Sequence, residues 1–207
     1  MTVHTEPPRP LRRDAAQNRA GILSAATTAI AQDPHASIDA IARTAGLSRR
    51  ALYGHFVDRD ALIREVISTG ARRFNAIAED VDDVDARLAI ARLAGRLWSE
   101  AAHVQVAAAI ALDEAHLADT ADALAPLRRR VLAIVRRGQH DDTLRTDVPA
   151  GTLARLIEET ARSVVTRMDA ASPDARSLAI RAVLSIAGLS WREGVALLAD
   201  HPELGHD

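Results

Sequence analysis

The chain of 207 residues contains no cysteine, and aromatic residues make up only 2% of it. Without cysteine, disulfide bonds and thiolate metal sites are excluded, which suits a reducing compartment. With so few aromatic side chains, the core must be built from alanine, leucine, valine and isoleucine. Alanine- and leucine-rich segments with interspersed charges favour helices. We therefore expect an all-α protein.

The sequence also lacks a segment typical of a membrane span or of export. The longest apolar run, near Val104 to Leu112, is interrupted by Gln105 and falls far short of the ~20 residues that a membrane helix needs. Residues 1–10 contain three prolines and no apolar stretch, which predicts a disordered tail and not a signal peptide. We expect a soluble, cytoplasmic protein.

Residues 37–62 have the pattern of two short helices joined by a tight turn. Ser37 and Ser48 are suited to cap helix N-termini. Between them, apolar residues recur at helical spacing up to Gly46, where a left-handed residue ends the first helix. The second helix directs Arg49 and Arg50 outward. This arrangement predicts a helix-turn-helix whose second helix enters the major groove of DNA.

The same residues resemble the tetracycline-repressor (TetR) family of bacterial transcription regulators. The resemblance is carried by Ile-Ala-x-x-Ala-Gly-Leu-Ser, then Leu-Tyr-x-His-Phe, then Arg-x-x-Leu, at Ile41, Ala42, Ala45, Gly46, Leu47, Ser48, Leu52, Tyr53, His55, Phe56, Arg59 and Leu62. Arg59 is a departure, because the family usually has a lysine there that meets a phosphate; arginine keeps the charge. The resemblance implies an N-terminal three-helix DNA-binding head and a C-terminal helical domain for ligand binding and dimerisation.

The expected organisation is a tail (1–10), a helix-turn-helix domain (11–60) and a helical effector-binding and dimerisation domain (61–207). The first helix is predicted from Asp14 to Gln32, and the fourth begins after an Asp58 cap. Gly138 is expected to end a helix, and Ser190 with Glu193 to form a capping box. Further helices are predicted at about 84–101, 104–117, 122–137, 150–168, 174–187 and 191–199.

Charge is distributed unevenly along the chain, although the net charge is only −2. Residues 1–60 hold eight arginines against six acids, and the remainder holds 18 against 22. Arg49 and Arg50 are the predicted readers of guanine edges. Side chains that would bind phosphates and set the register are Ser37, Ser48, Tyr53, His55 and Arg59, with Thr44 beside them.

Two of these assignments, and that of two further arginines, keep a structural alternative. Arg12 and Arg13, expected just before the first helix, form either a basic arm that reaches DNA or a solvated tail. Tyr53 is either a phosphate contact or a core aromatic with its hydroxyl at the surface. His55 is either a phosphate contact or a partly buried structural histidine beside Phe56.

Two amphipathic helices near the C-terminus suit a dimer of helices, because a two-fold symmetric protein reads two half-sites. The candidates for this interface, which are alternatively intramolecular core, are Leu153, Leu156, Ile157, Thr160, Val164, Leu178, Val183 and Ile186. The family resemblance also implies a small-molecule effector pocket inside the C-terminal helical domain. Polar or aromatic residues that interrupt its apolar helices are Trp98, His103, Asp113, His116, Arg162 and Thr166. Scarce aromatics favour a hydrophobic or extended effector.

The sequence contains no motif typical of catalysis or of cofactor binding. The eight histidines include no His-Glu-x-x-His spacing, and no nucleophile elbow, phosphate loop or dinucleotide fingerprint occurs. We expect no enzyme, no metal and no cofactor. The alternatives are a transcriptional activator with the same DNA-binding head, a helical enzyme, or a non-specific DNA-coating protein. The excess of acidic residues in the C-terminal domain disfavours the last of these.

Overall fold

The computed structural model describes residues 10–33, 35–102, 116–169 and 171–205. Every regular element in these ranges is a helix, so the all-α prediction is confirmed. In chain order the helices are α1 (Pro10–Gln32), α2 (Ile38–Thr44), α3 (Arg49–Tyr53), α4 (Arg59–Glu79), α5 (Ala86–Ala102), α6 (Leu117–Ala123), α7 (Ala125–His140), α8 (Ala150–Arg167), α9 (Ala175–Ala187), α10 (Trp191–Asp200) and α11 (Pro202–Gly205).

The first helix begins earlier than the sequence pattern predicted. It starts at Pro10 and not at Asp14, because proline has no N–H to leave unbonded at a first helical position. Arg12 and Arg13 therefore lie within the first turns of α1, and their placement in an arm before the helix was wrong. The helix predicted at 104–117 lies outside the described residues, apart from its last two.

The chain divides into two compact units, Met1–Val66 and Ile67–Asp207, with the boundary inside α4. We call them the head and the body. In the head, α1 contacts α2 and α2 contacts α3. Its buried apolar side chains come from all four of its helices, and they include Ile22, Leu23, Ala26, Ile30, Ile38, Ile41, Ala42, Leu52, Phe56, Leu62 and Ile63.

In the body, α9 packs against α5 and α8, and α7 packs against the same two helices. Helix α5 buries Ala86, Ala89, Ile90 and Leu93, the spacing expected of a helix with one inward face. The short helices α10 and α11 pack on α9. The buried side chains of this core are those of alanine, valine, leucine and isoleucine. Trp98, the one buried aromatic side chain among the described residues of the body, lies in a smaller cluster beside it.

The acidic segment between α4 and α5, predicted as a turn, is held by arginines from two helices. From α7, Arg137 Nη2 donates to the Asp83 carbonyl at 2.6 Å, and Arg130 donates to the Val81 carbonyl. From α5, Arg92 Nε donates to Asp83 Oδ2 at 2.9 Å. The two bonds from α7 satisfy backbone carbonyls of this segment, which has no helical partners for them, and the bond from α5 holds the Asp83 carboxylate.

The prediction that Gly138 ends a helix was wrong, because α7 continues to His140. Gly138 is buried within α7, and the following loop packs Leu144 onto it. A Cβ at position 138 would lie 2.5 Å from Leu144 Cγ and 2.7 Å from Ala86 Cβ. The glycine therefore permits a close approach of the loop and α5 to α7.

Helices α9 and α10 lie within one residue of their predicted bounds, whereas α11 was not predicted. Gly188, at φ 114°, ends α9 in the left-handed conformation that glycine adopts at little cost. Ser190 N donates to Glu193 Oε2 at 2.7 Å and Glu193 N to Ser190 Oγ at 3.3 Å, which is the predicted capping box. The hydrogen bonds to Ser190 lower the pKa of the Glu193 carboxyl. Among the described helices, none is both long and apolar enough to cross a membrane.

We predict that Gly138→Ala destabilises the body by about 1–3 kcal/mol, because overpacking outweighs the better helix propensity of alanine. Gly151→Ala is the matched control, since Gly151 is an exposed glycine of α8 and its added Cβ meets no described atom within 4 Å. It should be neutral or stabilising by up to about 1 kcal/mol. Urea unfolding measures the free energy of unfolding of both variants. Equal values for the two variants would contradict the prediction that Leu144 and Ala86 leave no room for a Cβ at position 138.

Candidate nucleic-acid interface

The turn between α2 and α3 has the geometry of a helix-turn-helix. Gly46 adopts φ 67°, and Leu47 N donates to the Ala42 carbonyl at 2.9 Å. Ser48 Oγ then accepts from Ala51 N at 3.2 Å and starts α3, as Ser37 Oγ does for α2 from Ala40 N at 3.2 Å. Both serines thus cap helices. Each hydroxyl still has its own proton to donate to a phosphate.

Helix α3 has an inner and an outer side. Leu52 is buried in α3 and Phe56 just after it. Arg49, Arg50 and Tyr53 are exposed, the tyrosine to 41%. The outer side therefore carries two cationic groups and one phenol, which are groups that bind base edges and phosphates.

Arg49 is not free on this surface, because it is paired with Asp39 of α2. Arg49 Nε lies 3.2 Å from Asp39 Oδ1, and Nη1 donates to Oδ2 at 3.3 Å. The guanidinium carbon also lies 5.5 Å from the centre of the Tyr53 ring. The hydrogen bond with the Tyr53 side chain, and then the charge of Asp39, raise the pKa of Arg49.

Arg50 differs from its neighbour, since its exposed side chain makes no hydrogen bond or ion pair with the described residues. Thr44 is also exposed, and its hydroxyl donates to the Ala40 carbonyl one turn earlier at 3.1 Å. His55 is half-buried beside the buried Phe56. Arg50 is thus the cation of α3 that is available to a ligand without breaking an internal ion pair.

Arg59, a predicted phosphate contact, has an internal role. Its Nε donates to the Ala36 carbonyl at 3.0 Å, and the residue is half-buried. It therefore ties the start of α4 to the segment that precedes α2. Beside it, Asp58 Oδ1 accepts from Ala61 N at 2.6 Å, as expected of the cap of α4.

Sequence reasoning missed Arg19, which links α1 to the region after α3. Its guanidinium carbon lies 4.5 Å from the centre of the Phe56 ring. Nη1 donates to the His55 carbonyl at 3.4 Å, and Nη2 lies 3.5 Å from Glu65 Oε2. In the sequence, Arg19 is marked only by its position one turn before Ile22 and Leu23 of α1. That position does not reveal partners that are distant in sequence.

The predicted effector residues are not gathered into one site by their described contacts. Trp98, 5% exposed, packs with Ala175 and Ala179 in a small cluster of the body. Arg162 forms an ion pair with Glu159 of the same helix, and the Thr166 hydroxyl donates to the Arg162 carbonyl at 2.9 Å. His116 is half-buried at the start of α6. His103 and Asp113 lie outside the described residues.

The predicted dimer residues divide into core and surface. Leu153, Ile157 and Val183 are buried inside the body, so their inclusion in an exposed interface was wrong. Helices α8 and α9 each have more than one apolar side, and the sequence pattern does not tell which side faces inward. Ile186 and Val164 pack against the body's own clusters. Leu156 and Leu178 are each 42% exposed, with Thr160 half-buried near Leu156.

The part of the chain that the structure describes contains no grouping of three or more His, Asp or Glu side chains that could hold a metal ion. Its ionisable groups instead form ion pairs between carboxylates and arginines on the surface. The pair of Arg145 and Asp147, at 2.7 Å, is typical; the hydrogen bond from Arg145 lowers the pKa of Asp147.

Comparison with known proteins agrees with this geometry. Residues 22–66 match the family model described as bacterial regulatory proteins, tetR family. The matched segment contains α2, α3 and their turn. No curated protein sequence matches the chain.

Solved structures of similar fold cover most of the chain. The regulator PfmR from Thermus thermophilus is 19% identical over 82% of this chain and 95% of its own, with a TM-score of 0.69. FadR from Bacillus subtilis, solved in complex with stearoyl-CoA, is 15% identical over 82% and 97%, with a TM-score of 0.69. The ketosteroid regulator KstR2 of Mycobacterium tuberculosis is 18% identical over 82% and 93%, with a TM-score of 0.67. At these identities the likeness shows the fold.

We predict that Arg19→Ala loosens α3 and destabilises the head by about 1 kcal/mol, since it removes a partly exposed cation–π contact and an ion pair. Hydrogen exchange of the α3 amides and thermal unfolding measure the effect. Arg43→Ala, which alters an exposed arginine of the same unit, is the control. If both variants exchange alike, Arg19 does not hold α3.

Proposed function

We propose that the chain is a ligand-responsive repressor of the TetR family of bacterial regulatory proteins, whose family model matches residues 22–66, and that it binds a palindromic DNA operator as a homodimer. One observation carries this proposal: a helix anchored by the buried Leu52 and Phe56 presents Arg49, Arg50 and Tyr53 outward. A short helix with this outer side is suited to the major groove.

The side chains of the head have distinct proposed roles. Arg49 and Arg50 read base edges, and Tyr53 contacts a phosphate at the groove edge. The exposed hydroxyls of Ser37, Ser48 and Thr44 also meet phosphates. We keep Arg59 and His55 as flanking contacts, although the hydrogen bond of Arg59 to Ala36 supports an internal role first. Arg12 and Arg13, in the first turns of α1, remain proposed backbone contacts.

Dimerisation follows from the reading of two half-sites, because α3 alone covers only a few base pairs. Leu156 on α8 and Leu178 on α9 are large apolar side chains exposed on two helices that pack against each other. Their exposure supports a self-complementary contact with a second copy, in which Thr160 would also take part.

The effector that we propose is a hydrophobic small molecule that binds the body. FadR, which has a similar fold, was solved with stearoyl-CoA, and KstR2 is described as a ketosteroid regulator. Both descriptions support an apolar ligand class. A compound that raises the thermal unfolding midpoint and weakens binding to the operator would be this effector, because it prefers the state that does not bind DNA.

We predict that Arg50→Ala weakens binding to the operator by about 1–3 kcal/mol and relaxes base preference at one position per half-site. The operator is found by footprinting the protein on DNA that flanks its own gene. Binding is then compared between the operator and a set of single-base variants.

Arg136→Ala is the matched control, since it removes an exposed arginine of α7 in the body. Binding that stays unchanged in this control but falls for Arg50→Ala supports the proposed interface. A protein that leaves no protected region on any flanking DNA contradicts sequence-specific regulation.

We predict that Leu178→Glu weakens the dimer by at least about tenfold, because a two-fold contact places two charges against apolar surface. Val195→Glu is the control, since Val195 of α10 is also 42% exposed. Analytical ultracentrifugation gives the dissociation constants. A dimer that tolerates Leu178→Glu but not Val195→Glu would move the interface to α10.

A further inference from the structure

We propose that Asp39 is a specificity-determining residue of the DNA-binding head, which holds the Arg49 guanidinium for a base edge and lowers its attraction to phosphates. This inference rests on the proposed function and deepens it. Asp39 lies on α2 and not on α3, which carries the proposed base contacts. Its role follows from its contact with Arg49, the first residue of α3.

Asp39 and Arg49 are joined by one hydrogen bond and one close charge contact. Arg49 Nη1 donates to Asp39 Oδ2 at 3.3 Å, and Nε lies 3.2 Å from Oδ1 without a hydrogen bond. Tyr53 lies on another side of the same guanidinium, at 5.5 Å from its carbon. An arginine has five N–H donors, so Asp39 does not exhaust them. The side chain keeps donors for a base while its orientation is restricted by two neighbours.

The pairing also changes what Arg49 contributes to attraction by the DNA backbone. Phosphate contacts are insensitive to sequence, and each one releases counterions and steepens the salt dependence of binding. A guanidinium paired with a carboxylate is nearly neutral at the distance of a phosphate beyond the pair. Arg49 therefore adds little to binding of any DNA, whereas Arg50, with no partner among the described residues, adds its full charge.

A restricted guanidinium loses less freedom when it meets a base. Fixing a long side chain on binding costs about 0.5–1.5 kcal/mol, which corresponds to roughly two- to tenfold in affinity. Because Asp39 already restricts the Arg49 side chain in the folded head, this cost is not incurred again when the head binds DNA. The head thus binds DNA of any sequence less tightly and distinguishes base pairs better.

The test compares Asp39→Asn with Asp60→Asn by fluorescence anisotropy, on a random duplex and on the footprinted operator, over a series of salt concentrations. Asp60 is an exposed acidic residue in the first turn of α4. Asp60→Asn therefore removes the same charge from the head without releasing an arginine. Thermal unfolding of each variant checks that the head is folded.

On the random duplex, Asp39→Asn should steepen the slope of log K against log salt by about 0.9, the value of one added phosphate contact, and Asp60→Asn should leave it nearly unchanged. The ratio of operator to random affinity should fall roughly two- to tenfold for Asp39→Asn. In an Arg49→Ala background, Asp39→Asn should change neither quantity, because the released group is absent.

A second comparison does not require a variant of Asp39. Arg50→Ala should reduce the slope on the random duplex by about 0.9, and Arg49→Ala should change it much less. Equal reductions would overturn the inference, as would equal effects of Asp39→Asn and Asp60→Asn. An effect of Asp39→Asn that persists without Arg49 would also overturn it.

The outcomes separate this inference from the proposed function. If the wild-type protein binds the random duplex but protects no operator, sequence-specific regulation fails, and the slopes still decide whether Asp39 neutralises Arg49. If the operator is protected and the slopes do not respond to Asp39→Asn, only the inference about Asp39 fails. A wild-type protein that binds no DNA overturns both.

Discussion

The anchoring of α3 by Leu52 and Phe56 is the constraint on which the head depends. A helix of five residues does not form stably by itself, because nucleation costs more than so few hydrogen bonds return. Burial of these two side chains fixes α3, and Arg19 covers the Phe56 ring from α1. Only because the inner side is fixed does the outer side present Arg49 and Arg50 in a defined geometry.

The sequence predicted the parts of the fold that depend on local interactions. Serine caps, the Gly46 turn and the Ser190–Glu193 capping box each involve residues within a few positions of one another, so their pattern suffices. Gly138 shows where this reasoning ends. Glycine is typical of a helix end, and only the tertiary contact with Leu144 and Ala86 reveals that here it accommodates a neighbour instead.

The candidate interface was predicted in its outward residues but not in their internal partners. Arg49 and Asp39 are ten residues apart and Arg19 and His55 are 36 apart, and nothing in local periodicity relates such pairs. The dimer prediction failed at Leu153, Ile157 and Val183 for a related reason. When a helix is apolar on several sides, its pattern does not identify the side that its own chain covers.

The two arginines at the start of α3 differ in a way that composition cannot express. Both are exposed and both are charged, yet Asp39 balances one of them. A head with two unpaired arginines would bind any duplex more tightly and would distinguish sites less well, because phosphates outnumber specific base contacts on every DNA. In the proposed interface, a carboxylate beside a base-reading arginine lowers general affinity for DNA and retains the bonds that depend on the base. In a chain with 28 acidic and 26 basic residues, the proposed role of Asp39 depends on the position of one acid and not on the total.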